Sequence, residues 1–383
     1  MACLTALPAM STDVVLPALG YMQDAYEGAT RESISLVVSV FFAGLGLGQL
    51  FFGPLCDSLG RRYSAFIGLS LLIAGSIICI VASTLPGLIA GRFLQAFGAS
   101  GPRIATMAIV RDKYEGNDMA RIMSFIMMIF VAIPMLAPIL GQIILELLGW
   151  QYIFYFLLLF STMVALWLYF RQGETLNAED RKPLNIHRIV SDFTSIIRIK
   201  SVLGFTIASG ASYSLLVSYI SSAQHIFQNI YDTGSRFPIY FALIAMSLGI
   251  ASFFNSKLVR RLGMQKLVYF AMALNFSAAA MLLLSSLAAD GVPELHLFIS
   301  VMMLGFFGCG ILMGNLAALA LLPLGRSAGF GAAIISSLST CISVPVAIVI
   351  SSFVNTSIAP FAIGFAIMSC TALFAAHWAS RNQ

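Results

Sequence analysis

The sequence predicts an all-α polytopic membrane protein with twelve transmembrane helices in two six-helix bundles. Of its 383 residues, 59% are apolar and only 10% are charged, whereas a soluble domain carries about a quarter charged residues. The charges are clustered and leave long uncharged runs. A hydrocarbon core about 30 Å thick needs about 20 apolar residues per helix, and lipid leaves no partner for an unpaired backbone group. The runs therefore indicate helices, and a soluble enzyme is excluded.

Twelve apolar runs follow one another along the chain. They lie near residues 1–22, 33–55, 63–83, 86–110, 121–145, 151–170, 201–228, 236–256, 264–287, 295–322, 328–353 and 357–380. The first run begins at residue 1, and Asp13 interrupts it, which differs from the basic leader and short apolar core of a secretory signal. We expect the chain to begin inside its first helix.

Basic residues indicate the orientation, because they concentrate on the cytoplasmic side of membranes. With the start of the first span inside, 17 of the 21 basic residues fall in cytoplasmic loops, span edges and the C-terminal tail. These are Arg61, Arg62, Arg111, Lys113, Arg121, Arg171, Arg181, Lys182, Arg188, Arg198, Lys200, Lys257, Arg260, Arg261, Lys266, Arg326 and Arg381. The outer loops hold only Arg31 and Arg236. We expect both termini inside, and we read the net charge of +5 as a topology signal rather than as nucleic-acid binding.

Six spans precede residue 171 and six follow residue 200, which predicts a bundle over 1–170, a cytoplasmic linker over 171–200 and a second bundle over 201–383. The linker holds an apolar stripe at helical spacing that is typical of an amphipathic helix on the membrane surface, although a plain connecting helix has the same pattern. The stripe consists of Ile186, Ile189, Val190, Phe193, Ile196 and Ile197.

A weak internal repeat supports the two halves. Asp57-Ser58-Leu59-Gly60 ends the second span, and Arg260-Arg261-Leu262-Gly263 ends the eighth, so that an offset of 203 residues aligns the two glycines. A duplicated six-span unit is typical of a transporter that binds its substrate between two halves near the membrane midplane.

The strongest local motif is the turn between spans 2 and 3, Gly53-Pro54-Leu55-Cys56-Asp57-Ser58-Leu59-Gly60-Arg61-Arg62. We expect Pro54 and Gly60 to break the helix and make this turn tight. Asp57 can pair with Arg61 or Arg111, or lie at a helix N-terminus, where the helix dipole favours a negative charge.

These residues resemble the signature loop of the major facilitator superfamily, and the resemblance covers the whole chain. Further segments resemble the Bcr/CflA branch of its drug:proton antiporters. They are Ser11-Thr12-Asp13-Val14-Val15-Leu16-Pro17-Ala18-Leu19, Arg92-Phe93-Leu94-Gln95-Ala96-Phe97-Gly98, Val110-Arg111-Asp112-Lys113-Tyr114, Ala137-Pro138-Ile139-Leu140-Gly141 and Gly149-Trp150-Gln151-Tyr152-Ile153-Phe154. Val15 stands where the branch has Tyr, Gln142 where it has a second Gly, and Ala137 where many antiporters have Gly.

The resemblance implies a proton-coupled secondary exporter of small amphipathic drugs in the bacterial inner membrane, working by alternating access. It also implies that the signature loop stabilises the outward-facing state. The residues of such a conformational clamp are Gly53, Asp57, Gly60, Arg61, Arg62 and Arg111. An exporter of one metabolite, such as a siderophore, nucleoside or sugar, would share these motifs and remains the alternative.

Three formal charges lie well inside spans, and each costs about 2.5–3.5 kcal/mol at the bilayer centre. Asp13 is the candidate proton-coupling residue, because burial and a nearby cation act in opposite directions on a carboxyl group. Arg92 and Arg103 are eleven positions apart, so they share a helix face with Gln95 and predict a polar stripe along a cavity. The alternative for the two arginines is a buried ion pair or hydrogen bond that only locks helices together. Asp13 has two alternatives: a helix-locking pair with Arg92 or Arg103, or a position near the outer surface.

Other residues are candidates for motion or binding. Pro134, Pro138 and Gly141 predict a bend, or hinge, in the fifth span, while Gly44 and Gly48 predict close helix packing in the second. Tyr213, Tyr219, Tyr240, Phe306 and Asn315 are candidates for contacting a small-molecule substrate.

The third hypothesis belongs to a different functional class, in which the protein is an intramembrane enzyme or receptor rather than a transporter. The six cysteines and four histidines show no metal-like spacing, and no phosphate-binding loop is present. We therefore expect no catalytic residues, metal or cofactor. The expected partners are the lipid bilayer, protons and a small-molecule substrate, with the chain acting as a monomer.

Overall fold

A computed structural model describes residues 1–114, 116–177, 179, 181 and 184–382, and the chain there is helical without strands. The helices are α1 (Ala2–Asp13), α2 (Leu19–Ala25), α3 (Arg31–Leu59), α4 (Arg61–Val81), α5 (Leu85–Lys113), α6 (Gly116–Leu147), α7 (Gln151–Arg171), α8 (Ile186–Arg198), α9 (Lys200–His225), α10 (Phe237–Leu262), α11 (Met264–Ala288), α12 (Leu295–Leu321), α13 (Ala328–Phe353) and α14 (Ala359–Ser380). The first span comprises α1 and α2, α8 lies in the linker, and each other helix matches one predicted span. The predicted all-α fold is confirmed.

Among the described residues, ten segments are long and apolar enough to cross a membrane. The other two predicted spans correspond to α5, with 29 residues, and α6, with 32 residues. Both exceed the length of about 20 residues that a bilayer requires. Within α6, the part Ala132–Leu147 is a shorter apolar segment that carries Gln142 and Glu146. Helix α5 is less apolar because it carries Arg92, Gln95 and Arg103. The protein is therefore a multi-pass membrane protein.

The first span is broken rather than continuous. Helix α1 ends at Asp13, a short 3₁₀ turn over Leu16–Ala18 follows, and α2 starts at Leu19. Pro17 lies in this turn and has no N–H to continue the α-helical hydrogen bonds. The break leaves the last carbonyl groups of α1 without donors from their own helix.

The prediction that Pro54 breaks the second span is wrong. Helix α3 continues through Pro54 to Leu59, and only Gly60 ends it. A proline in a transmembrane helix is tolerated when neighbouring groups bond the freed backbone. Gly60 has φ +109°, which an L-residue with a side chain rarely adopts, and it joins α3 directly to α4.

Small residues let the helices of the first half approach closely. A Cβ at Gly44 or Gly48 of α3 would collide with α5, at Phe93 and Ser100 respectively. Gly68 of α4 similarly faces the backbone of α5. The predicted packing role of Gly44 and Gly48 is therefore confirmed.

The chain divides into two compact units, Met1–Val190 and Ser191–Gln383. In the first, α3 and α4 pack on α5; in the second, α13, α14 and α12 pack on α9. The boundary falls inside α8, so the separate linker over 171–200 stays a prediction.

The internal repeat predicted from the sequence appears in the backbone, because Gly263 joins α10 to α11 with φ +80°, as Gly60 joins α3 to α4.

Candidate functional site

The turn between α3 and α4 holds an ion-pair network centred on one arginine. The Nη1 group of Arg61 donates to Asp57 Oδ1 at 2.8 Å and to the Cys56 carbonyl oxygen at 2.8 Å. Its Nε group donates to Asp112 Oδ2 at 3.1 Å. Of the two partners considered from the sequence, Arg61 rather than Arg111 therefore pairs with Asp57.

Asp112 lies in the last turn of α5, so this network joins the ends of α3, α4 and α5. The Arg61 side chain is 11% exposed, against 42% for Asp57 and 22% for Asp112. The arginine is thus the buried centre, and its two carboxylate partners lie nearer to solvent. Its position explains why an Arg is needed here, because a planar guanidinium can donate to several acceptors at once.

Glu174, which the sequence analysis did not single out, lies beside the same turn. Its Oε1 accepts from the backbone N–H of Arg61 at 2.9 Å, and its Oε2 accepts from that of Arg62 at 3.1 Å. These N–H groups belong to the first turn of α4, where the chain offers no intrahelical acceptor. The alternative that Asp57 lies at a helix N-terminus is therefore wrong, because Asp57 lies in the last turn of α3. The carboxylate at the N-terminus of α4 belongs to Glu174.

The remaining residues of the predicted clamp have different settings. Arg62 donates from Nη2 to the Tyr169 carbonyl oxygen at 3.0 Å, and its guanidinium lies 5.5 Å from the Tyr169 ring. Arg111 is exposed, and Gly53 lies inside α3 next to Pro54. All described partners in this network belong to the first unit, so a clamping role for the loop stays a prediction.

The second candidate site is the break in the first span. Asp13, at the end of α1, is 3% exposed and interacts electrostatically with Arg92 of α5. In the described part of the chain, no direct ion pair within 4.0 Å joins the two residues. Asp13 is thus a buried carboxyl group near a cation that is bonded to other acceptors.

Arg92 is fully buried, and its bonds connect several helices. Its Nη1 donates to the Ser11 carbonyl oxygen at 2.8 Å and to Gln95 Oε1 at 2.7 Å, while Nε donates to the Val37 carbonyl oxygen at 3.4 Å. Its guanidinium also lies 4.4 Å from the centre of the Phe41 ring. Among the described atoms, Nη2 finds no partner.

Gln95 extends this chain of bonds by donating from Nε2 to Ser76 Oγ at 2.8 Å. It is as fully buried as Arg92, and Arg103 is only half-buried and has interactions of its own. The structure therefore brings Arg92 and Gln95 together with α1, α3 and α4. That these residues line a cavity stays a prediction.

One of the three predicted hinge residues, Gly141, lies against this break. A Cβ at Gly141 of α6 would collide with the backbone of Val14, the residue after Asp13. Helix α6 continues through Pro134 and Pro138, and bending there stays a prediction. The sequence places Gly141 and Asp13 in separate motifs, and the fold puts them side by side.

In the second unit, two of the five substrate candidates lie together. The Tyr219 ring stacks on Phe241, with centroids 5.5 Å apart, and meets the edge of Phe306 at 4.9 Å. Tyr219 and Phe306 are buried, and the Tyr219 hydroxyl finds no partner among the described atoms. These two side chains form part of an aromatic core.

The other candidates lie elsewhere. Tyr240 stacks on Phe227 with centroids 5.8 Å apart, Tyr213 is half-buried, and Asn315 donates to Asn255 Oδ1 at 2.7 Å. A small cavity among α9, α11, α12 and α14 is lined in part by Ser212, Leu215, Asn275, Leu312, Phe365 and Met368, and by none of the five candidates. Substrate contact by the five stays a prediction.

The fold and these sites define a polytopic membrane transporter, with a broken first span, buried charges and a glycine turn repeated in both halves. The chain belongs to the major facilitator superfamily, whose family model matches residues 1–348. The family predicted from the motifs is confirmed, and the relatives agree with the resemblance to the Bcr/CflA branch.

One relative is a bicyclomycin resistance protein homolog of Haemophilus influenzae, 28% identical over 286 residues, which are 74% of this chain and 71% of that protein. Another is the multidrug resistance protein MdtL of Shigella flexneri, 27% identical over 242 residues, or 62% of this chain and 59% of that protein. A crystal structure of the human organic anion transporter MFSD10 is similar in fold, with a TM-score of 0.76 at 15% identity, covering 99% of this chain and 97% of that one.

Proposed function

We propose that this transporter is a proton-coupled exporter of small amphipathic compounds in the bacterial inner membrane, with both termini in the cytoplasm. The observation that carries the proposal is Asp13, a buried carboxyl group at the break in the first span. The names of the bicyclomycin resistance homolog and of MdtL support drugs as the substrate class.

The setting of Asp13 suits a group that gains and loses a proton. An intramembrane charge costs several kcal/mol, so such a residue is a functional-site hypothesis by default. Arg92 is close enough to interact with Asp13, but its guanidinium is bonded to Ser11, Gln95 and Val37. The carboxyl group therefore keeps its capacity to take up a proton.

The surroundings of Asp13 also connect it to the predicted hinge in α6. Asp13 sits where α1 stops, and α6 touches the next residue through Gly141. A shift of α6 against the first span changes the access of water to Asp13. Burial and the field of a nearby cation both act on the protonation of a carboxyl group, so such a shift couples proton uptake to conformation.

Transport into everted membrane vesicles tests the proposal. The probes are ethidium, tetraphenylphosphonium, chloramphenicol and bicyclomycin, each measured with and without a proton gradient. We expect proton-driven uptake of several probes by the wild type and its loss in Asp13→Asn. Asp24→Asn is the matched control, because it removes an exposed carboxylate from α2, the other helix of the same span.

Two results would contradict parts of the proposal. Normal proton-driven uptake by Asp13→Asn would remove the coupling role from this residue. The panel also includes a siderophore, a nucleoside and a sugar, and uptake of one of these with all four drugs rejected would instead favour the exporter of one specific compound. A green fluorescent protein fused after Gln383 tests the topology, since it fluoresces only when the C-terminus is cytoplasmic.

A further inference from the structure

We propose that Glu174 is a positioning residue of the transport cycle, which anchors the chain leaving α7 to the turn between α3 and α4. This role rests on the proposed export function. The anchor joins segments far apart in sequence, since 113 residues separate Glu174 from Arg61.

The contacts around Glu174 hold the segment at several points. Glu174 makes two bonds to the start of α4. Its neighbour Thr175 donates from Oγ1 to Asp112 Oδ2 at 2.9 Å. Lys113 donates to Gln172 Oε1 at 3.3 Å. Residues 172–175 are thus bonded to the first turn of α4 and to the last turn of α5.

A carboxylate is the chemically suited group at this place. The first turn of α4 contains no acidic residue, and its N-cap, Gly60, has no side chain that could bond the exposed N–H groups. The N-terminus of a helix carries a partial positive charge, and the side chains of Arg61 and Arg62 add to it. Glu174 supplies the missing negative charge and two acceptors. The contact is so close that a Cβ at Gly60 would collide with the carboxylate.

The second half of the chain shows that this anchor is not needed to form the turn. Gly263 joins α10 to α11 with a similar left-handed backbone, and the first turn of α11 also lacks an acidic residue. A Cβ built at Gly263 meets no described atom within 4 Å. The same turn therefore forms there without a carboxylate packed against the glycine.

The turn between α3 and α4 is distinguished by the chain segment bonded to it. The segment that Glu174 anchors leads into α8 and from there into the second unit. Glu174 thus fixes where the linker leaves the first unit, directly beside the Arg61 network. Loss of this fixed point should slow the conformational steps of transport and leave substrate affinity unchanged.

The experiment compares wild type, Glu174→Ala, Glu174→Gln and Glu174→Asp in full-length protein. Hydrogen–deuterium exchange is followed for the peptide that contains the amides of Arg61 and Arg62, and ethidium transport is measured in everted vesicles. Glu179→Gln is the matched control, because it removes an exposed carboxylate from the same segment.

We expect faster exchange of the Arg61 and Arg62 amides in Glu174→Ala and Glu174→Gln. Turnover of ethidium should fall about tenfold with KM unchanged, since a hydrogen bond to a charged group is involved and the loss falls on a conformational step. Glu174→Asp should restore part of the turnover, and Glu179→Gln should match the wild type.

Unchanged amide exchange in Glu174→Ala would overturn the anchor. Faster exchange with wild-type turnover would reduce Glu174 to a structural helix cap and overturn the positioning role alone. Absence of proton-driven transport in the wild type would refute the proposed function itself, so the two failures are distinguishable.

Discussion

The guanidinium of Arg92 donates a hydrogen bond from Nη1 to the carbonyl oxygen of Ser11 at 2.8 Å. Ser11 lies in the last turn of α1, where the break in the first span leaves carbonyl groups without helical donors. The side chain of one transmembrane helix thus completes the backbone bonding of another. This bond holds the break, and with it Asp13, at a defined place in the first half of the protein.

Arg92→Lys is expected to destabilise the protein. A lysine retains the charge but cannot reach Ser11, Gln95 and Val37 together, and each buried polar group left without a partner costs about 1–3 kcal/mol. Thermal unfolding in detergent, followed by fluorescence, measures the effect. Arg171→Lys, at an exposed position in the last turn of α7, is the control and should match the wild type. Equal melting temperatures for all three proteins would show that the bonds of Arg92 contribute no stability.

Gly141→Ala is expected to destabilise the protein and reduce transport, because its Cβ would collide with the backbone of Val14. Overpacking of this kind costs about 1–3 kcal/mol. The control is Gly314→Ala in α12, where a Cβ meets no described atom within 4 Å. Removal of a flexible glycine from a helix there should stabilise by about 0.5–1 kcal/mol. A gain of stability in both variants would contradict close packing at Gly141.

Asp57→Asn is expected to reduce transport while substrate binding is preserved, as the resemblance to the family's signature loop implies. The Asp57 side chain is 42% exposed, and an exposed ion pair contributes at most about 1 kcal/mol, so the variant should fold normally. Binding and transport of ethidium measure the two effects separately. Asp290→Asn, in an exposed turn, is the control. Unchanged transport by Asp57→Asn would refute the clamp.

Gly60→Ala and Gly263→Ala form a matched pair that reports on Glu174. Both glycines combine a positive φ with ψ near 160°, a backbone region almost confined to glycine, which costs an alanine about 1–3 kcal/mol. Only Gly60→Ala adds a collision with the Glu174 carboxylate, so it should lower the melting temperature further than Gly263→Ala does. The double variant Gly60→Ala, Glu174→Ala should lose less than the sum of its two single changes. Strict additivity would show that the two residues do not touch.

The contribution of Glu174 to stability should depend on pH in the acid range. Partial burial acts to raise the pKa of its carboxyl group, but backbone N–H groups of Leu176, Arg61, Thr175 and Arg62 donate to it and lower the pKa below the ordinary value. The stabilisation is therefore complete above the unfolded-state pKa of about 4.3 and is lost as the pH falls through the lower folded-state value.

Thermal unfolding of wild type and Glu174→Gln across this pH range measures the dependence. The difference in melting temperature should stay constant between about pH 6 and 8, where the glutamate is ionised in both states, and shrink at acid pH. A difference in melting temperature that grows on acidification would show that folding raises the pKa of Glu174 rather than lowering it.

Much of the fold could be predicted because a transmembrane helix is a local property of the chain. Backbone polar groups in lipid must be bonded within the protein, and a helix bonds nearly all of its own, so an uncharged run predicts a helix without knowledge of its neighbours. The predicted third span, 63–83, corresponds to α4 at Arg61–Val81, and the linker stripe corresponds to α8 at Ile186–Arg198. Pro54 was misread because the bonding of a proline in a helix depends on what surrounds it.

The sequence by itself determined the spans, the family motifs and the short turns, because these depend on residues close together in the chain. Only the tertiary structure decided which distant groups meet. Glu174 reaches Arg61 across 113 residues, Asp112 reaches it across 51, and Gly141 meets the break beside Asp13. No hydropathy pattern records these pairs, because partners so far apart are brought together by helix packing, which depends on the shapes of whole helices.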